Sequence, residues 1–500
     1  MWADQPGEQT EGVVRIGEVL EHLGAEHYVE RSVTESRRKM SICQRAENVD
    51  GGPSRVRAFP KRSATIADMP VRVAHDISWL DYANRSGTVS GISRAIEEPL
   101  SRLASHPDVD ITLTGVCLYD AIRGGSLAAQ RALTTVGEFN VERGYRSRLG
   151  VESVYDVLSM RMASPQISGL DRLRGALSRA GLKALKLWDA IPPFPADAYD
   201  IFHSTYLPLP PPSTTGTAMR VATIYDLIPL SHPDDTLTAH RDLVKEVLRS
   251  LDPARDWVIT VSGHVRSELV RLADFDPNHV FVVPLAASGV FKPRQANDVD
   301  HRRRESYGIP SAPYVLTVGM TQPRKNIIML VDAFRRMHQV TPGLDVNLVV
   351  VGAAGWRNEA LERALNDGSP TCARIIRTGF VDDRDLPALY SGAVMFVLPS
   401  RAEGFGLPLV EAMNCGVAVL AADTSSLPEV VGRGGVLFAP DDPAELCALM
   451  YRVLHNPDYR ARLQESALAR GSEFSWERTA LGIGEAYLHI ADSRRRESVR

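Results

Sequence analysis

PSRAEGFGLPLVEAMNCG, residues 399–416, holds Glu403 and Glu411 on either side of a Gly404-Phe405-Gly406 turn. The run before it, VMFVLPS, is apolar and β-branched, as a strand covered on both faces must be. Ser400 to Gly406 is therefore the loop at that strand's carboxyl end. Pro408 suits the first turn of a helix, which continues through Glu411 to Gly416. Glu403 then stands at the sheet edge where open α/β sheets bind ligands, and Glu411 about one turn into the helix. Glycines let backbone N–H groups approach a ligand, and a helix N-terminus favours an anion. Carboxylates beside such a turn suit a sugar or ribose, whose hydroxyls come as pairs of donors. A plain glycine turn with a capping glutamate is the bland alternative. A glycosidase carboxylate pair is another, but amides aimed at an anion fit a phosphate better.

The rhythm around this stretch sets the fold class. PYVLTVG, VNLVVVG, ARIIRTG, VMFVLPS, VAVLAA and GGVLFAP read as strands, with IIMLVDAFRRMHQ, DLPALYSGA and PAELCALMYRVL as helices between them. The first half repeats the alternation with VRVAHDI, DITLTGV, AYDIFHS, RVATIYDL, DWVITVS and HVFVVPL as strands, and ISRAIEEPLSRLAS and HRDLVKEVLRSL as helices. This is the pattern of two α/β, doubly wound Rossmann-like domains, with a cleft expected between the carboxyl ends of their strands. The expected divisions are a mobile or weakly ordered extension over 1–69, one domain over 70–295, a second over 305–470, and a final helical stretch, 471–500, crossing back to the first. Met69-Pro70 directly precedes the first strand, and a translation start at Met69 is one expectation for the native chain.

Composition narrows the function. The chain has 500 residues, 44% hydrophobic and 24% charged, with a net charge of −4. That balance speaks against nucleic acid as a partner. Five cysteines lie far apart with no C-x-x-C pair, which suits a reduced, cytoplasmic protein. No apolar run approaches the ~20 residues of a spanning helix. DVD at 108–110 and at 298–300 falls at segment edges and reads as solvated acids, so no metal site is expected.

VGMTQPRKNIIML adds the counter-charge. A strand ends at Gly319, and Arg324 and Lys325 occupy the loop opening the next helix. Cations there can meet a diphosphate and neutralise it as a leaving group, in place of a metal.

These motifs together resemble the family-4 retaining glycosyltransferases, which have the GT-B fold, and most resemble their bacterial mannosyltransferases. PSRAEGFGLPLVEAMNCG is similar to that family's E-x7-E motif, VGMTQPRKN to its basic loop and TSSLPEVVG to the loop that follows. TIYDLIPL and PLAAS add to the mannosyltransferase likeness. The resemblance implies that Glu403 and the Gly404, Phe405 and Gly406 amides, with Leu407, hold the transferred sugar, and that Glu411 binds the ribose. Gly319, Arg324 and Lys325 would face the donor diphosphate. In the first domain, RSGTVSGISRAIEEPL places Gly87 and Gly91 where the family has a loop approaching that diphosphate. His203, ending the strand of YDIFHSTYLPLP, stands where the family often has a histidine near the reacting sugar, although a lone histidine is more often structural. Tyr225 replaces the histidine that many relatives carry before Asp226.

The expected function is a metal-independent hexosyltransferase without a cofactor. It would move a hexose, best read as mannose from GDP-mannose, from a nucleotide-sugar donor to a saccharide or lipid-linked acceptor in surface polysaccharide or lipopolysaccharide biosynthesis. The donor would sit mainly on the second domain and the acceptor mainly on the first. RLRGALSRAGLKALKLWDAI, residues 172–191, has the basic amphipathic pattern of a helix lying on an anionic membrane, and suggests peripheral contact at the inner face of the cell membrane. The rival classes are a nucleotide-sugar epimerase on the same fold and a non-catalytic sugar-binding protein.

Overall fold

The computed structural model describes residues 69–80, 91–115, 140–141, 194–295, 298–353, 355 and 359–499. The 1–68 extension, Gly87 and the basic amphipathic stretch 172–191 lie outside the described residues. The described residues divide into two compact units, one joining residues 69–286 with 474–499, the other running from Ala287 to Glu473.

Among the described residues the first unit is a seven-stranded parallel sheet in the order β3-β2-β1-β4-β5-β6-β7. Its strands are β1 (Val71–Asp76), β2 (Val109–Thr114), β3 (Asn140–Val141), β4 (Ile201–Ser204), β5 (Met219–Ile224), β6 (Trp257–Thr260) and β7 (Val280–Val282). Strands β1, β2 and β3 extend the sheet one way and β4 starts on the other side of β1, so the strand order reverses between β1 and β4. The long helix Trp476–Val499 packs here. Ala480, Ile483, Tyr487 and Ile490 recur at helical spacing and join Val71, Ile96, Leu100 and Ile111 in one core cluster. Tyr487 is fully buried, and burial of one such side chain stabilises by about 1.5–3 kcal/mol. Arg102 and Glu477 add an exposed ion pair at 2.7 Å.

The second unit is a six-stranded parallel sheet, β10-β9-β8-β11-β12-β13. It comprises β8 (Tyr314–Val318), β9 (Asn347–Val351), β10 (Ile375–Gly379), β11 (Met395–Leu398), β12 (Ala418–Ala422) and β13 (Val436–Phe438). The order reverses between β8 and β11. Strands β9, β11 and β12 are buried along their whole length, which is why they read as unbroken apolar runs. Gly352, just past β9, has φ +137°, and a Cβ there would lie 2.2 Å from the Gly319 carbonyl oxygen; only glycine permits that approach.

One expectation changes. The acidic DVD at 298–300 opens the helix Asp298–Ser306, and Asp300 is buried, not solvated. Arg294 and Arg303 reach it at 3.0 and 3.2 Å, because a carboxylate taken out of water needs paired cations. Among the described residues no helix is long and apolar enough to cross a membrane.

Candidate active site

The chemistry of the second unit gathers where its strand order reverses. β8 runs out through Gly319 into the short turn Pro323–Lys325, which leads into the helix Ile327–Val340. β11 runs out through Ser400 to Glu403, then into the helix Leu407–Asn414. Because β8 and β11 are neighbours, both loops leave the same carboxyl edge, and the Arg401 amide ties them by donating to the Arg324 carbonyl at 2.8 Å.

Glu403 is the centre of this junction and is 7% exposed. Arg324 Nη1 donates to its Oε2 at 3.0 Å, and Lys325 Nζ to its Oε1. Ser400 Oγ donates to Oε1 at 2.7 Å. Burial alone pushes this carboxyl up. The charges of Lys325 and Arg324, with hydrogen bonds from Lys325 and Ser400, outweigh it and hold the group at about 2. The backbone of Glu403 is fixed as well: its amide donates to Ser425 Oγ at 3.0 Å, and its carbonyl accepts from Ser426 Oγ at 2.9 Å. Arg324 also donates to the Ala402 carbonyl at 3.0 Å. The sequence pattern assigned the cations to one ligand group and the glutamate to another; the fold joins all three in one buried cluster.

The turn behind Glu403 is built for a close approach. Gly406 has φ +95°, and a Cβ on it would meet Leu427 Cδ2 at 2.9 Å. Phe405 is buried, whereas Gly404 and Leu407 are half-buried. Glu411, one turn into the helix, is 3% exposed and accepts from the Tyr390 hydroxyl at 2.9 Å. Sequence reasoning missed Tyr390, Ser400, Ser425 and Ser426. Ser400 was within reach as a hydroxyl three residues before Glu403. The others come from helices and loops whose approach to Glu403 and Glu411 only the fold sets.

His203, expected near a reacting sugar, is held by partners from its own unit. His203 lies on β4 directly beside His75 on β1, their ring centroids 4.9 Å apart, and both are buried. Tyr487, from the helix Trp476–Val499, sets its hydroxyl between them, 2.6 Å from His203 Nδ1 and 3.2 Å from His75 Nδ1. Thr223 Oγ1 engages His203 Nε2 at 2.8 Å. Both ring nitrogens of His203 are therefore occupied, and burial, then the neighbouring His75, push its proton affinity well down. This geometry gives His203 a positioning place between β4, β5 and the terminal helix. Gly91, the described glycine of the first-domain turn, begins the helix Gly91–Leu103. Asp226 Oδ1 accepts from the Ile228 amide at 3.1 Å and shapes its own turn.

Known proteins match this pattern. Residues 312–456, which carry the whole Glu403 cluster, match the family Glycosyl transferases group 1. The O-antigen chain mannosyltransferase B of Escherichia coli is 34% identical over 271 residues, covering 53% of this chain and 69% of that protein. The Serotype-specific mannosyltransferase WbdA of Escherichia coli is 31% identical over 282 residues, 55% of this chain but 34% of that longer protein. In fold, the chain is similar to a glycosyltransferase from Rickettsia africae, with a TM-score of 0.55 and 15% identity over 84% of this chain and 98% of the other.

Proposed function

The chain belongs to the Glycosyl transferases group 1 family, with two α/β domains of the GT-B kind, and on that premise we propose that it transfers mannose from GDP-mannose to a saccharide or lipid-linked saccharide acceptor. The observation that carries the transferase reading is the Glu403 cluster, a buried carboxylate and two cations at the switch point of the second sheet. A donor diphosphate supplies the anionic charge that Glu403 otherwise gives to Arg324 and Lys325. As the diphosphate takes the cations, Glu403 turns to the sugar hydroxyls, and Glu411 accepts from the ribose.

The reaction then keeps the anomeric configuration. The acceptor hydroxyl oxygen bonds to the anomeric carbon on the face from which the diphosphate departs. The carbon–oxygen bond to the β-phosphate breaks with its electron pair going to the phosphate, and the acceptor's proton passes to the leaving phosphate oxygen. Arg324 and Lys325 stabilise the charge that grows there, so the protein contributes positioning and electrostatics. The acceptor binds mainly on the first domain, and the site of action is the cytoplasmic face of the membrane, where surface polysaccharide is assembled.

The relatives' names support mannose as the sugar. A pocket separates hexose epimers through a few hydrogen bonds, each mismatch costing about 1–3 kcal/mol. The test is a donor panel with purified protein and membrane extract as the acceptor source. Turnover of GDP-mannose in preference to UDP-glucose and UDP-galactose supports the donor; the reverse order refutes mannose and leaves transfer standing.

A further inference from the structure

The two sheets share a topology, and the crevice at each strand-order reversal has a different lining. In the second unit it is charged, as described above. In the first unit the reversal falls between β1 and β4, and an aromatic residue follows within three positions of each strand's end. Trp79 follows β1 and Tyr206 follows β4, their ring centroids 4.1 Å apart at 40°. Tyr225, directly after β5, comes 6.2 Å from Tyr206 in a similarly tilted pair. The strand ends beneath are tied together: Thr205 Oγ1 donates to the Asp76 carbonyl at 3.1 Å, bridging β4 to β1.

These rings are not simply core. Trp79 and Tyr225 pack one side against the core cluster, yet both, like Tyr206, remain half-buried. Aromatic side chains of the same unit that lie wholly in its core, Phe202 and Tyr487, are 0% exposed. Ligands of open α/β sheets bind outside the carboxyl ends at the reversal point. An aromatic wall there is unsuited to a diphosphate. It suits a ligand that is apolar on a flat face and polar at its edge, and a pyranose ring has that character: C–H bonds on its faces and hydroxyls around its rim.

We propose that Trp79 and Tyr206 form a ring-stacking subsite for a pyranose of the saccharide acceptor, with Tyr225 extending the wall. This rests on the reading that the chain is a transferase with a saccharide acceptor, and it makes these residues determinants of acceptor choice. A lipid chain has no polar rim to match, and a nucleoside that displaces the saccharide from this wall would overturn the assignment.

The experiment uses the full chain and mannotriose, with saturation-transfer NMR from the protein's aromatic protons to the sugar C–H protons. Transfer to the ring protons is expected for the unaltered protein. Trp79→Leu and Tyr206→Leu keep an apolar filler but remove the π face, and each should weaken saccharide affinity about 3- to 10-fold. Tyr206→Phe keeps the face and should retain affinity. Thermal unfolding identifies any leucine variant that has lost its fold, and Tyr206→Phe against the unaltered protein then decides. Unchanged affinity in folded leucine variants, no saturation transfer to the unaltered protein's ligand, or a Tyr206→Phe loss equal to that of Tyr206→Leu overturns the subsite. Saccharide binding of the expected pattern without transfer from any donor supports the subsite and refutes the transferase reading. Transfer with an unchanged acceptor KM in the leucine variants overturns the subsite alone.

Discussion

Replacing Glu403 with glutamine keeps the shape of the side chain and removes the charge that balances Arg324 and Lys325. The two cations hold the Glu403 carboxyl at about 2 rather than the ordinary 4.5. At about 1.4 kcal/mol per pH unit that difference corresponds to about 3 kcal/mol of stabilisation at neutral pH. The Glu403→Gln variant loses much of it and leaves two cations side by side in a crevice, where each is at most one-fifth exposed. For a unit of this size the expected fall in melting temperature is about 5–10 °C. Nucleotide binding should move the other way. In the unaltered protein an incoming diphosphate competes with Glu403 for both cations; in the variant that competition is gone. GDP affinity should hold or rise by up to about tenfold, or about 1.4 kcal/mol, and GDP should recover much of the lost melting temperature. Sugar transfer should fall by about 10²–10³, because the carboxylate that grips the sugar is missing. Calorimetric titration, melts with and without GDP, and single-turnover transfer read the three quantities separately. An unchanged melting temperature, or GDP affinity falling by the same factor as transfer, would refute the charge exchange.

Arg324→Ala and Lys325→Ala should each lower turnover by about 10²–10³ with a smaller loss of donor affinity, and activity should survive EDTA; full activity in the double variant contradicts the leaving-group role. Glu411→Ala should weaken donor binding by one to two decades, roughly the 1.5–3 kcal/mol of a charge-assisted hydrogen bond, while Tyr390→Phe leaves donor affinity in place. Equal donor affinity in a folded Glu411→Ala variant rules out the ribose contact. His75 is pushed by burial to about 3, and His203 well below 6.5, so as pH falls below about 6.5 the unfolded chain takes up protons that the folded chain refuses. Stability should therefore decline from pH 6.5 towards 3, by as much as about 1.4 kcal/mol per pH unit for each histidine, with Glu403 adding its own loss between 4.5 and 2; a denaturation midpoint flat from pH 7 to 4.5 excludes the buried histidine pair. Tyr487→Phe should cost about 1–3 kcal/mol by leaving the histidine nitrogens without their bridge, with GDP affinity unchanged; loss of GDP affinity in a folded variant contradicts a positioning role confined to the first unit.

The second sheet was legible because its strands β9, β11 and β12 are buried on both faces, and hydrophobicity alone marks such strands. The meeting of Arg324, Lys325 and Glu403 was half legible. Both loops were assigned to strand ends, but the glutamate and the cations were given separate ligand groups, and their direct salt bridges emerge only from the fold. The Tyr390–Glu411 bond joins two helices, Leu386–Gly392 and Leu407–Asn414, and was invisible for the same reason. His203 illustrates the limit most clearly. Its strand was read, but its partner Tyr487 lies 284 residues along the chain, and no local pattern brings that hydroxyl to the ring. The buried Asp300 misled in the opposite direction: an acid among polar neighbours looks solvated until Arg294 and Arg303 are seen around it.

The measurement that bears most directly on the transfer reaction is nucleoside diphosphate release from a candidate donor, with and without saccharide acceptor, analysed together with the donor recovered. Transfer predicts GDP release from GDP-mannose that rises steeply with acceptor and appears as one mannose per GDP in the product. Conversion of the donor to its epimer without GDP release, or tight donor binding with no chemistry at all, would contradict it.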